Sequence, residues 1–175
     1  MIKLSKEAAF IIAAIIGAVA LPQVFHIVGV WLGVGGQLGQ MFLPMYLPVL
    51  IIGFYRGPVS GAVAGLVSPL ISFALTAMPN ENMLPYITVE LIATGLVAGL
   101  LINAVKIPAI LRVLAVQVAA KAVRLAVLVV ALYTTSGVVT FGAVFAGILT
   151  SIPGIVLQLA LVTCFIVIKE KKKNA

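Results

Sequence analysis

The sequence predicts an all-α integral membrane protein: a six-transmembrane-helix bundle in which residues 1–175 form a single transmembrane domain with N- and C-termini cytoplasmic. Three observations carry that prediction. First, 63% of the 175 residues are hydrophobic and 9% are charged, and the mean hydropathy is +1.31. A soluble domain of this length cannot hide so much apolar surface, because its exterior must be polar enough to stay dissolved. Second, apolar runs near the ~20 residues needed to cross about 30 Å of hydrocarbon recur six times and leave no room for a soluble domain. Third, the basic residues fall in alternate connections between those runs.

The first run is predicted over about 8–28, opened by a polar start in which Ser5 is placed to cap the helix and Glu7 suits its first turn. It is too long for an ordinary signal peptide and lacks a small-residue cleavage site. Gly29, Gly33, Gly35, Gly36 and Gly39 then crowd a short stretch, where a rigid helix is not expected. The second span, about 41–55, is short and holds Pro44 and Pro48. Arg56-Gly57-Pro58 is a turn, and the third span follows over about 58–78. A loop by composition, Pro79 to Pro85, leads to the fourth span at about 86–105. Lys106-Ile107-Pro108 separates it from the fifth, about 109–133, which ends at Thr134-Thr135-Ser136-Gly137. The sixth is predicted over about 140–168 and runs into Lys169-Glu170-Lys171-Lys172-Lys173. No internal repeat is present.

With the N-terminus inside, the cytoplasmic segments hold Lys3, Lys6, Arg56, Lys106, Arg112, Lys169, Lys171, Lys172 and Lys173, and the outer loops hold no Lys or Arg. This positive-inside pattern fixes the orientation and favours an even number of spans. It also explains the net charge of +7 without nucleic acid as a partner. Trp31, Tyr86, Tyr133 and Phe141 then fall near the outer interface, where amphipathic rings are favoured.

Several function classes are excluded. No Gly-x-x-x-x-Gly-Lys-Ser/Thr stretch exists to cradle ATP, so ATP-driven work requires a partner. The sequence has no Asp, one His (His26) and one Cys (Cys164), which argues against a metal cluster and against aspartyl or metal-dependent membrane enzymes. Ser60-Gly61 lacks the preceding glycine of a rhomboid-like protease. The expectation is a protein that is not an enzyme and needs no cofactor, and that binds or transports.

Lys121 and Arg124 lie inside the fifth span, where a charge costs at least ~2.5–3.5 kcal/mol on insertion scales. Gln117, Lys121 and Arg124 are spaced i, i+4, i+7 and share one face. That face must look into the protein or a wet cavity. Glu90 in the antiparallel fourth span reaches a similar depth, with Thr94 one turn on; Gln158 and Ser151 add polar groups from the sixth. Together they predict a polar pocket in the outer half of the bundle. A structural Glu90–Arg124 ion pair is the competing reading, and Lys121 has the further option of snorkelling inward. Gln40 and Tyr46, with Gln37, are lid or pocket candidates beside the glycine-rich loop, as are Asn80, Glu81 and Asn82; a solvated loop is the alternative for each. His26 reads as a packing residue. Ala9, Ala13, Gly17 and Ala20 make a small-residue stripe on the first helix, for packing within the bundle or for docking another membrane protein. Gly95 and Gly99 read as internal packing, and the stripe Gly53, Gly57, Gly61, Gly65 is interrupted by the turn at Arg56.

The stretch Gln40-Met41-Phe42-Leu43-Pro44-Met45-Tyr46-Leu47-Pro48-Val49-Leu50, then Gly53 and Arg56-Gly57-Pro58, is similar to the second helix and turn of the substrate-binding S components of energy-coupling factor (ECF) vitamin transporters. The runs from Gly61 to Leu70 and from Val89 to Leu101 resemble that family's third and fourth helices, in the same order and spacing. The resemblance covers nearly the whole chain. It implies a bacterial cell-membrane protein whose partners are a transmembrane T component, contacted through Ala9 and Ala13, and two ATPase subunits. It also implies a vitamin or vitamin-precursor substrate held in the outer half under the loops after helices one and three, and release inward by toppling. The missing N-terminal His argues against a nickel or cobalt substrate, and the single Trp against thiamin. Lys121 and Arg124 favour an anionic or strongly hydrogen-bonding molecule. Pantothenate fits, with pyridoxine, a hydroxymethylpyrimidine or a queuosine precursor also open. A self-sufficient carrier or channel is the competing class, although such carriers commonly show repeats and coupling acids.

Overall fold

A computed structural model describes residues 5–104, 106–134 and 141–174. Lys3 and residues 135–137, which figure in the predicted topology, lie outside the described residues, as do the side chains of Tyr133, Phe141 and Lys173. The elements are α1 Lys6–Trp31, α2 Gln37–Phe42, α3 Tyr46–Arg56, α4 Pro58–Thr76, α5 Leu84–Leu100 with a 3₁₀ turn at Leu101–Asn103, α6 Ala109–Thr134, α7 Phe141–Thr150 and α8 Ile152–Asn174. No strand occurs among the described residues. Six segments are long and apolar enough to cross a membrane: α1, α2 with α3, α4, α5 with its 3₁₀ turn, α6 and α8. This is the architecture of a multi-pass membrane protein.

Local chemistry sets the ends and breaks. The Ser5 hydroxyl accepts from Ala8 N at 3.2 Å and caps α1. The second span is not continuous. Leu43 takes a left-handed conformation, φ 46°, ending α2, and Pro44 follows it as prolines commonly follow a helix end. Pro48 is tolerated in α3 because it sits in the first turn, where its missing N–H costs no hydrogen bond. The predicted sixth span over 140–168 is corrected: the chain breaks at Ser151, and the membrane-length segment is Ile152–Lys172. Pro153 is the physical reason, since it has no N–H to offer the preceding turn and its ring crowds that turn. The glycine-rich loop is also shorter than expected, because residues 37–42 form α2. Gly33 and Gly35 supply the positive φ angles, 72° and 56°, that reverse the chain there.

Helix α3 lies at the centre, touching α1, α4, α5 and α8; α5 is also packed by α4 and α6, and α6 by α8. The closest approach is α4 on α5. A methyl group added to Gly95 would fall on the backbone of Gly61, and one on Gly65 would fall on the carbonyl of Leu91. Gly53 of α3 meets Ala98 and the Gly95 carbonyl from the other side. The turn at Arg56 therefore does not interrupt the glycine stripe: it folds its two halves onto the same partner helix. Leu50, Phe54, Ala98, Val113, Val116 and Val162 form one buried cluster, and Ala18, Tyr46, Val49, Ala64 and Leu91 another.

Candidate functional site

One end of the bundle gathers basic residues. Lys169 Nζ donates to the carbonyl of Phe54 at 2.8 Å, and the Arg56 guanidinium lies 4.0 Å from the centre of the Phe10 ring. Glu7 accepts from the buried Ser60 hydroxyl at 3.1 Å. Arg112 is also here, and it corrects the sequence reading. The sequence places it among the loop charges, yet it is 1% exposed and donates to Glu170 of α8 at 2.6 Å.

A second charged cluster lies deeper. Glu90 of α5 is fully buried. Its Oε2 accepts from Arg124 Nη1 at 2.9 Å, and its Oε1 accepts from Lys121 Nζ. The i, i+3 spacing of Lys121 and Arg124 puts both cations on the side of α6 that faces α5. Tyr46, in the first turn of α3, closes the cluster: the Lys121 ammonium stands 5.2 Å from the centre of its ring. The Tyr46 hydroxyl is within electrostatic reach of Glu90 and Arg124, but it is buried and makes no hydrogen bond of proper geometry. Arg124 Nε is likewise buried without a partner. Two cations share one carboxylate, so the cluster holds one positive charge in surplus. The remaining acids stand elsewhere: Glu7 at Ser60, Glu170 at Arg112, and Glu81 exposed in a turn.

The other predicted pocket residues separate from this cluster. Gln117 Nε2 donates to Gln158 Oε1 at 2.5 Å, and Gln158 Nε2 donates to the carbonyl of Leu43 at 3.1 Å. The Leu43 carbonyl also accepts from Tyr46 N at 3.0 Å, and Gln158 Nε2 lies 3.4 Å from the neighbouring Phe42 carbonyl, so the glutamine pair braces the backbone where α2 ends. Thr94 is buried but spends its hydroxyl on the Glu90 carbonyl of its own helix, 2.8 Å away, and Ser151 bonds Ile148 O at 2.8 Å. Gln40 is exposed on α2. Asn80 is exposed and its Oδ1 accepts from Asn82 N at 3.0 Å, ordering its own turn. His26 packs its ring against Gly36 and Gly39.

The small-residue stripe divides. Gly17 faces Pro48 of α3, whereas Ala9, Ala13 and Ala20 are exposed. An apolar groove of about 470 Å³ lies beside Ala13, lined also by Phe10, Pro48, Tyr55 and Phe165. A smaller cavity of about 220 Å³ between α1, the α2–α3 break and α8 has Gln158 as its polar wall. Neither is lined by Glu90, Lys121 or Arg124.

Sequence spacing brought Lys121, Arg124 and Glu90 to notice but missed the Arg112–Glu170 pair. A signal was present. Arg112 is one turn before the buried Val116, two before Ala120 and three before Arg124, so it extends the inward-facing stripe of α6. Comparison with known proteins adds no assignment: no protein-family model, curated protein or solved structure matches the chain.

Proposed function

We propose that this protein is the high-affinity substrate-binding subunit of an ATP-driven, energy-coupling-factor-type importer in a bacterial cell membrane, taking up a small vitamin or vitamin precursor. The observation that carries the proposal is the buried Glu90–Lys121–Arg124 cluster with its surplus charge. A purely structural ion pair needs one cation for one carboxylate. A second buried cation in a membrane bundle is costly and marks a ligand or ion pathway by default. Six spans, the glycine-sealed α3–α4–α5 core and the broken second span give a rigid frame for such a site. In this proposal the basic end faces the cytoplasm, as the positive-inside rule requires. The exposed Ala9 and Ala13 face a transmembrane partner, and two ATPase subunits complete the complex. Pantothenate remains the first substrate to try.

The experiment is affinity purification from the native membrane followed by mass spectrometry of proteins and retained small molecules. Recovery of ATPase subunits and a transmembrane partner supports the proposal. Uptake into vesicles holding this protein alone overturns it in favour of a self-sufficient carrier. Two further variants refine it. Ala9→Trp and Ala13→Trp are expected to impair uptake while leaving ligand binding by the isolated protein intact, because a bulky ring prevents close helix approach. Cysteines placed at 30–40 or 80–85 should be labelled from outside intact cells, and cysteines in the C-terminal tail only after permeabilisation.

A further inference from the structure

Charge alone does not account for Tyr46. A phenol hydroxyl that is buried beside three charged groups would ordinarily donate to the nearest carboxylate, since an unmade hydrogen bond in a dry interior is costly. Here Glu90 accepts from Lys121 on one oxygen and from Arg124 on the other, and the Tyr46 hydroxyl beside them has no partner of hydrogen-bonding geometry. Arg124 in turn has committed Nη1 to Glu90, while its Nε is buried with no acceptor. The Tyr46 hydroxyl and Arg124 Nε thus have no partner of hydrogen-bonding geometry, and the cluster carries one uncompensated positive charge.

We infer that this site takes a single carboxylate, that of a small organic monoanion, seated on the Nε side of Arg124 and the hydroxyl of Tyr46 while Lys121 holds Glu90 in place. This rests on the reading of the cluster as the ligand site. Three features favour the carboxylate. Its planar pair of acceptor oxygens matches the fixed fork of a guanidinium, which recognises carboxylates through parallel hydrogen bonds. One negative charge neutralises the surplus; a neutral ligand leaves it, and a dianion overshoots it in a medium where unpaired charge is expensive. Glu90 need not leave its partners, because Lys121 is held both by its carboxylate and by the face of the Tyr46 ring. Glu90 is then a positioning residue that aims the two cations, and the ligand contacts are Arg124 and Tyr46.

The test is thermal unfolding of the purified full-length protein in detergent at pH 8. Propionate, propionamide and succinate serve as probes at matched ionic strength. Propionate should raise the unfolding temperature saturably, succinate less at equal concentration, and propionamide no more than the salt control. Arg124→Gln should abolish the propionate response. Tyr46→Phe keeps the ring and the fold, and should weaken apparent propionate affinity by about tenfold, the usual loss for one hydrogen bond to a charged group. Equal responses to propionate and propionamide, no response to propionate, a succinate response as strong as that to propionate, or an unchanged response in Tyr46→Phe each overturn the inference. The importer reading fails separately. A propionate-specific response in a protein that recruits no ATPase leaves the carboxylate seat standing without the importer. Recruitment of ATPase with no carboxylate preference does the reverse.

Discussion

Helix α6 carries two buried ion clusters, and they are built on different plans. Arg112 and Arg124 are twelve residues apart, which on an α-helix means roughly 18 Å of rise and about 120° of rotation. That rotation aims Arg112 at α8, where it meets Glu170, and Arg124 at α5, where it meets Glu90. The Arg112 pair is one cation to one carboxylate, and Glu170 remains about a third exposed, so water shares in its solvation. The Glu90 cluster is two cations to one carboxylate, with the carboxylate at 0% exposure and an unsatisfied tyrosine hydroxyl beside it. A balanced, half-wet pair closes a helix contact. In the proposed reading, the unbalanced cluster is completed by a negative ligand. This difference separates the two sites more clearly than burial alone, since Arg112 at 1% exposure is more buried than Arg124 at 12% and both leave Nε without a partner.

Breaking the dry cluster at its anion should have the largest effect. Glu90→Gln leaves two buried cations without a counter-charge and is expected to destabilise the protein by ~3–5 kcal/mol, the usual result of removing one member of a buried pair. Denaturant titration in detergent measures this. Near-wild-type stability would mean that water already reaches the cluster. Next is Arg124→Ala, expected to weaken ligand binding by about 1.5–3 kcal/mol, or tenfold to a hundredfold, while membrane insertion is retained. Calorimetric titration of Arg124→Ala, Glu90→Gln and the double variant distinguishes the two plans directly. A double variant that binds like wild type makes Arg124 structural, and the contrast with Arg112 disappears.

The wet pair should respond more weakly. Glu170→Gln is expected to cost ~1–2 kcal/mol of stability, because the Arg112 side chain stays buried while a part-exposed partner is lost; ligand affinity should be unchanged. A loss of affinity in Glu170→Gln would show that the two clusters communicate along α6. The smallest stability effect is expected for Lys121→Met, within about 1 kcal/mol, because it converts the dry cluster to a balanced Glu90–Arg124 pair and replaces a buried ammonium with an apolar chain. The same variant should lower carboxylate affinity, since the surplus charge is gone. Unchanged affinity would locate the ligand's charge elsewhere.

The sequence by itself determined the class of molecule. Composition, the length of six apolar runs and the placement of Lys and Arg predict a multi-pass helical bundle, because lipid demands that each crossing segment satisfy its own backbone. It also gave notice of Lys121, Arg124 and Glu90, since ionised groups are rare inside apolar spans. Tertiary structure alone decided the rest. Helical periodicity places a residue on a face but does not say which neighbour that face meets. So only the fold shows that α8 brings Glu170 to Arg112, which reads as a loop charge, and that Gln117 meets Gln158, which in turn reaches the α2–α3 break. The glycine stripe across Arg56 looked interrupted because a turn breaks sequence periodicity, yet the same turn lays α3 and α4 on one partner helix, where close packing depends on distance in space. Tyr46 shows the limit most clearly. Its hydroxyl is buried without a partner of proper geometry beside a carboxylate on α5 and two cations on α6, a setting that three helices create together and that no one of them encodes.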